Sequence, residues 1–150
     1  MIAFPDTSFL CALYRQQDNS RAAAGHFKAM PEALHVSSLL LYEFRQSLRF
    51  QVWLHSQDPR KGFPQADCDR ALADLDSDLE SGALVVVPVD WAGVHGIAER
   101  LSAACTKADG HRAMDILHVA TALHVVGRDF LTFDARQRKL ARAEGLKVKP

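Results

Sequence analysis

Four acids, Asp6, Glu43, Asp115 and Asp134, stand where short apolar runs give way to helix-like stretches. Carboxylates at such junctions suit a divalent-metal site for phosphodiester chemistry. In open α/β sheets ligands settle outside the carboxyl ends of the strands, so an acid that closes a strand faces a ligand or metal rather than bulk solvent. Asp6 closes the run Met1 to Pro5 and is followed by Thr7 and Ser8, while Asp134 closes Leu131-Thr132-Phe133. Four converging carboxylates repel: two unit charges roughly 4 Å apart cost about 4 kcal/mol at an effective dielectric near 20, so the cluster requires a cation or a shared proton. Oxygen-only donors favour Mg²⁺ or Mn²⁺ over zinc. Such an ion can activate water, polarise a phosphate and stabilise the leaving oxygen.

Short strands alternating with amphipathic stretches must position these acids, which predicts βα units and a mostly parallel sheet. The strands are expected at Ile2 to Phe4, Leu34 to Ser37, Leu84 to Val87, Phe130 to Thr132 and Leu146 to Val148. Helices are expected at Ser8 to Gln16, Ser20 to Lys28, Ser38 to Trp53, Gln65 to Ser81, Trp91 to Lys107, Ala113 to Val126 and Ala135 to Ala143. Within the third, Leu40, Leu41, Phe44 and Leu48 recur at helical spacing. The segment Gln57 to Pro64, with two prolines, a glycine and Arg60-Lys61, reads as a mobile loop. On this map Asp6 and Asp134 share one sheet edge if their strands pair, and Glu43, one turn into its helix, and Asp115, in the first turn of its own, return to it.

A chain of 150 residues, 48% hydrophobic, suits one domain spanning 1–150 with its own core. Lys+Arg and Asp+Glu are 18 each, so only local charge can argue for nucleic acid. Arg45 and Arg49 follow Glu43 on its helix, Arg60 and Lys61 lie on the loop beyond, and Arg136, Arg138, Lys139 and Arg142 crowd the helix after Asp134. Basic groups flanking an acidic metal site suit a phosphate backbone. Cys11, Cys68 and Cys105 are odd in number and lack metal-type spacing, as expected of reduced thiols in a cytoplasmic protein. Neither a signal peptide nor a membrane span is expected.

Each acid also has an ordinary structural reading. Asp6 and Asp134 could be helix N-caps, and Asp115 could favour a helix dipole. Glu43, among Leu40, Leu41, Tyr42 and Phe44, needs a partner or a metal, because an unpaired buried carboxylate is expensive. His118 follows Asp115 by three residues on one helix face; with His111 and His124 it completes no ligand set, so it reads as packed or solvated. Met114, Trp53, Trp91 and Phe130 read as core or rim residues.

Four segments in order resemble the PIN domain: Pro-Asp-Thr-Ser-Phe-Leu at 5 to 10, Leu-Leu-Leu-Tyr-Glu-Phe-Arg-Gln-Ser-Leu at 39 to 48, Ala-Met-Asp-Ile-Leu-His-Val-Ala-Thr-Ala-Leu at 113 to 123, and Leu-Thr-Phe-Asp at 131 to 134. The chain is similar to the small single-domain PIN ribonucleases, which include VapC-type toxins. The resemblance implies a three-layer α/β/α sandwich with a mostly parallel four- to five-stranded sheet, and a Mg²⁺- or Mn²⁺-dependent endoribonuclease. It further implies that Asp6, Glu43, Asp115 and Asp134 form the metal-binding and catalytic set, with Thr132 as an orienting hydroxyl. The family most often has Asn where this chain has Ser8, whose hydroxyl can still orient Asp6 or a metal-bound water. Partners implied are an RNA substrate, a small antitoxin and a second copy in a homodimer. Arg45 and Arg49 are then expected to touch either the RNA or an inhibitor segment. The competing readings are a catalytically weak PIN-like binding module, and another α/β phosphate hydrolase, which would want Asp where Ser8 stands.

Overall fold

The computed structural model describes residues 2–125 and 127–150. Among them every strand is three residues long, so each strand serves chiefly to place the residue that follows its last bond. Strand β1 (Ala3–Pro5) pairs in parallel with β4 (Asp129–Leu131), which pairs in parallel with β5 (Lys147–Lys149). Strand β2 (Leu34–Val36) pairs in parallel with β3 (Leu84–Val86), and β2 packs beside β1. The five strands thus form two parallel ladders side by side, the sheet of a three-layer α/β/α fold.

Helices α1 (Thr7–Tyr14), α2 (Ser20–Ala29), α3 (Ser38–Gln57) and α4 (Gln65–Glu80) pack mainly on one another. Helices α5 (Trp91–Leu101), α6 (Lys107–Asp109), α7 (Ala113–His124) and α8 (Ala135–Ala143) form the other group. Four starts are capped by side-chain oxygens, at Asp6 for α1, Ser37 for α3, Asp90 for α5 and Asp134 for α8. Each cap satisfies an N–H that has no partner within its helix. The core between the helix groups includes Phe4, Phe9, Leu40, Phe44, Leu48, Phe130 and Leu131, all withdrawn from water.

Most expected elements lie within a few residues of their predicted places. The long helix expected at Trp91 to Lys107 instead ends as α5 at Leu101, widens into a π-helical turn over Ser102–Thr106, and closes with the short α6 at Gly110. None of Ser102–Thr106 is fully buried, and Cys105 alone of the turn's apolar side chains Ala103, Ala104 and Cys105 packs against the core. Helix α7 gives way at Val125, and the expected end at Val126 lies outside the described residues. The loop expected to be mobile is tied to α3: Phe63 N–H bonds the Gln51 carbonyl, and Gly62, with φ +59, sits where a Cβ would lie 2.0 Å from that same oxygen. Glycine is required there on both counts.

Helix α3 buries Phe44 but leaves Tyr42 63%, Phe50 49% and Trp53 53% exposed, so Trp53 is a surface residue rather than core. Phe44→Ala is expected to cost about 3–5 kcal/mol by urea unfolding, and Phe50→Ala to stay within about 0.5 kcal/mol of wild type.

Candidate active site

Asp6 is the first residue beyond β1, and its N–H continues the ladder by donating to the Leu131 carbonyl at 3.0 Å. That bond places it at the shared carboxyl end of β1 and β4. Its side chain is wholly buried. Oδ1 accepts from the Ser8 hydroxyl at 2.6 Å and from the Phe9 N–H at 3.0 Å; Oδ2 accepts from the Thr132 hydroxyl at 2.5 Å. The two hydroxyls are themselves fixed, because Ser8 Oγ accepts from the Phe133 N–H and Thr132 Oγ1 from the Asp134 N–H, both at 2.9 Å. Burial pushes the Asp6 carboxyl above its ordinary range, against these donors and the charge of His118. Asp6 is therefore both the cap of α1 and the acid at the strand end.

Glu43 reaches across from α3 to α7 and α1, where the His118 Nε2 and the Thr7 hydroxyl both bond its Oε2. A carboxylate only accepts, so Nε2 carries the hydrogen. The His118 ring is buried and its Nδ1 has no partner among the described residues. Burial works to raise Glu43, yet the hydrogen bond and charge of His118, helped by Thr7, hold it below its ordinary value.

Asp115, half-buried in the first turn of α7, is raised by burial and then by the charge of Asp134, with Arg112 and His118 opposing. Its Oδ1 accepts from Gln137 Nε2 at 3.3 Å. Asp134 caps α8, its Oδ1 accepting from the N–H groups of Arg136 at 2.8 Å and Gln137 at 2.9 Å.

The four acids therefore share one edge, but among the described residues no three acidic, histidine or cysteine side chains converge into a metal-binding group. The expectation of four converging carboxylates is corrected to that extent, and repulsion supplies the reason. Carboxylates so placed take neutral or positive partners: Asp6 takes two hydroxyls, Glu43 takes His118, and Asp134 takes a helix start. The donors still fit a hard divalent ion in kind. They are carboxylate oxygens, and Asp134 opposes the ionisation of Asp115, a repulsion that a cation would relieve.

Four participants were not assigned by residue type and spacing: Thr7, Arg112, Gln137, and His118 as the partner of Glu43. Only His118 had a usable signal, its placement three residues after Asp115. Arg45 bonds Asp76 of α4 at 3.1 Å. It lies two residues beyond Glu43, about 200° around the helix axis, so it does not share the side on which Glu43 meets His118. Arg49 is exposed. On the last helix Lys139 pairs with Asp109 and Arg138 bonds the carbonyls of Thr132 and Pro150, leaving Arg136 and Arg142 as its exposed arginines.

A parallel α/β fold with acids at its carboxyl edge is the class these features define. The PIN domain family model matches residues 3–143, and the chain belongs to that family. No curated protein matches the sequence closely enough to count as a relative. Among solved structures, VapBC2 from Rickettsia felis bound to a DNA fragment from their promoter is similar over 99% of this chain and 98% of that one, with 16% identity and a TM-score of 0.65. VapC20 from Mycobacterium tuberculosis, a Sarcin-Ricin loop cleaving toxin, is similar over 99% of each chain, with 17% identity and a TM-score of 0.63. FitAcB from Neisseria gonorrhoeae shows 18% identity and a TM-score of 0.62 over 99% of this chain and 97% of its own.

The Asp6 geometry has a measurable signature. An acid raised by folding leaves stability complete below its unfolded value, about pH 4, and costs stability as pH climbs toward the raised value. Asp6→Asn removes that loss. Thermal melts should place the variant above wild type at pH 7, with the gap closing below about pH 4; a variant less stable at pH 7 would count against a buried, ionising carboxylate.

Proposed function

We propose that this chain is a metal-dependent endoribonuclease, the toxin of a toxin–antitoxin pair, acting in the cytoplasm as one PIN domain over residues 1–150. The observation that carries the reading is Asp6, a wholly buried carboxylate at the end of two paired strands, oriented on both oxygens by Ser8 and Thr132. Asp115 and Asp134 at the same edge raise the local negative charge. Family membership and the likeness to VapC20, a toxin that cleaves the Sarcin-Ricin loop, support RNA as substrate.

Asp6, Glu43, Asp115 and Asp134 would hold the ion, Mg²⁺ or Mn²⁺. When bound, it supplies activation of water and neutralisation of charge on the phosphate. Ser8 and Thr132 keep Asp6 from rotating; Thr7 and His118 hold Glu43 at the edge. Arg112 at the start of α7 and the exposed Arg136 and Arg142 of α8 supply contacts to the backbone of the RNA. Arg45 and Arg49 are placed on the antitoxin, because they lie around α3 from the side where Glu43 meets His118. The exposed Arg45–Asp76 pair yields easily to a partner, such pairs being worth about 0–1 kcal/mol. The likeness to VapBC2 and to FitAcB supports an antitoxin partner. The exposed Tyr42, Phe50 and Trp53 of α3 support a homodimer.

A second reading, a catalytically weak module that binds RNA or protein, is favoured by one observation: Glu43 and Asp134 already have partners. Purified protein incubated with total cellular RNA and Mg²⁺ or Mn²⁺ separates the two. Discrete fragments that vanish with EDTA and in Asp115→Asn are expected of the nuclease; intact RNA under every condition, with RNA or partner binding retained, favours the module. For the basic face, Arg136→Gln should weaken single-stranded RNA binding across sequences and reduce the slope of log affinity against log salt by about 0.7. An unchanged slope would remove Arg136 from the interface.

A further inference from the structure

Gln137 is 4% exposed on the buried face of α8, where its neighbours are the apolar Leu140 and Ala141. An amide at such a position is costly unless both of its ends are bonded. Only one end is. Nε2 donates to Asp115 Oδ1 at 3.3 Å, while Oε1 is buried and has no partner among the described residues. Turning the amide over would set Oε1 against the Asp115 carboxylate, so Asp115 dictates the orientation and the unpaired oxygen is its cost. The backbone of the same residue completes the link, its N–H donating to Asp134 Oδ1 at 2.9 Å. One residue thus binds the third and fourth acids to a single helical turn.

We propose that Gln137 is a positioning residue that sets Asp115 against Asp134 for the divalent cation. This rests on the metal-dependent reading above. A residue serving only to pack α8 against α7 would be better as an apolar side chain, whereas Gln137 gives up a satisfied core to orient a carboxylate. Groups that orient metal ligands in this way commonly change affinity by about 10–100-fold when removed.

The test uses the intact protein with Gln137→Met, which keeps the length of the side chain and removes both polar atoms. Mn²⁺ binding is read from the electron paramagnetic resonance signal of the free ion, and the melting temperature is measured without metal. Expected are at least a roughly tenfold weaker Mn²⁺ dissociation constant and a melting temperature equal to or above wild type, because the unpaired oxygen is gone. Gln137→Leu, with a different packing shape, should repeat both results. Affinity within about twofold of wild type overturns the proposal, as does a parallel fall of affinity and melting temperature, which marks a packing role. If wild type itself takes up no Mn²⁺, the metal-dependent reading fails and this inference with it; equal binding by wild type and variants overturns this inference alone.

Discussion

A carboxylate wholly removed from water at the end of β1 is the constraint on which the rest of this structure depends. Leaving Asp6 there without donors would be expensive, since a buried charge is tolerated only when it is paired or hydrogen-bonded. The surroundings answer that cost in layers. The parallel pairing of β1 with β4 brings Thr132 beside Asp6 although 126 positions separate them. The first turn of α1 adds the Ser8 hydroxyl and the Phe9 N–H. The backbone N–H groups of Phe133 and Asp134 then orient the two hydroxyls, so the network closes on the main chain rather than on mobile side chains. Such closure lets three-residue strands define a site, because the bonds past each strand end fix its geometry.

His118 answers the remaining charge. It is buried, it bonds Glu43, and it acts electrostatically on Asp6 and Asp115 as well. Three acids from three elements therefore face one imidazole in α7. This explains why Glu43 falls below its ordinary value while Asp6 and Asp115 rise above theirs. At Glu43 the hydrogen bond and charge of His118 together with the Thr7 hydroxyl outweigh burial; at the wholly buried Asp6 even three accepted hydrogen bonds do not, and at Asp115 the charge of Asp134 adds to burial.

Periodicity and capping chemistry made the elements legible from the sequence. Leu40, Leu41, Phe44 and Leu48 do form the buried stripe of α3, and Ser8 and Thr132 do bond Asp6. Angular position was harder to read. Arg45 is near Glu43 along the chain, yet a rotation of about 200° sends it to Asp76. The pairing of Glu43 with His118 spans 75 positions and two helices, so no local spacing could specify it. The π-helical turn after α5 was hidden for a related reason: Ser102–Thr106 reads as helical in composition, and nothing in its spacing marks the departure from α-helical geometry.

Buried polar atoms without a partner are not confined to the site: among the described residues they include His35 Nδ1 in β2 and Asp129 Oδ1 at the start of β4 as well as atoms at the acidic edge. In the apolar core, side chains such as Phe4, Phe44 and Phe130 bury no side-chain polar atom. At the acidic edge the same chain holds the Asp6 carboxyl out of water, leaves His118 Nδ1 and Gln137 Oε1 without a partner among the described residues, and sets Asp115 where Asp134 opposes its ionisation. Each of these would be relieved by an apolar or neutral substitution, so stability alone does not account for them. Under the metal-dependent reading proposed above, a cation at this edge would relieve the repulsion between Asp115 and Asp134. The partnering of Glu43 by His118 and the repulsion between Asp115 and Asp134 are then two consequences of gathering carboxylates at one edge.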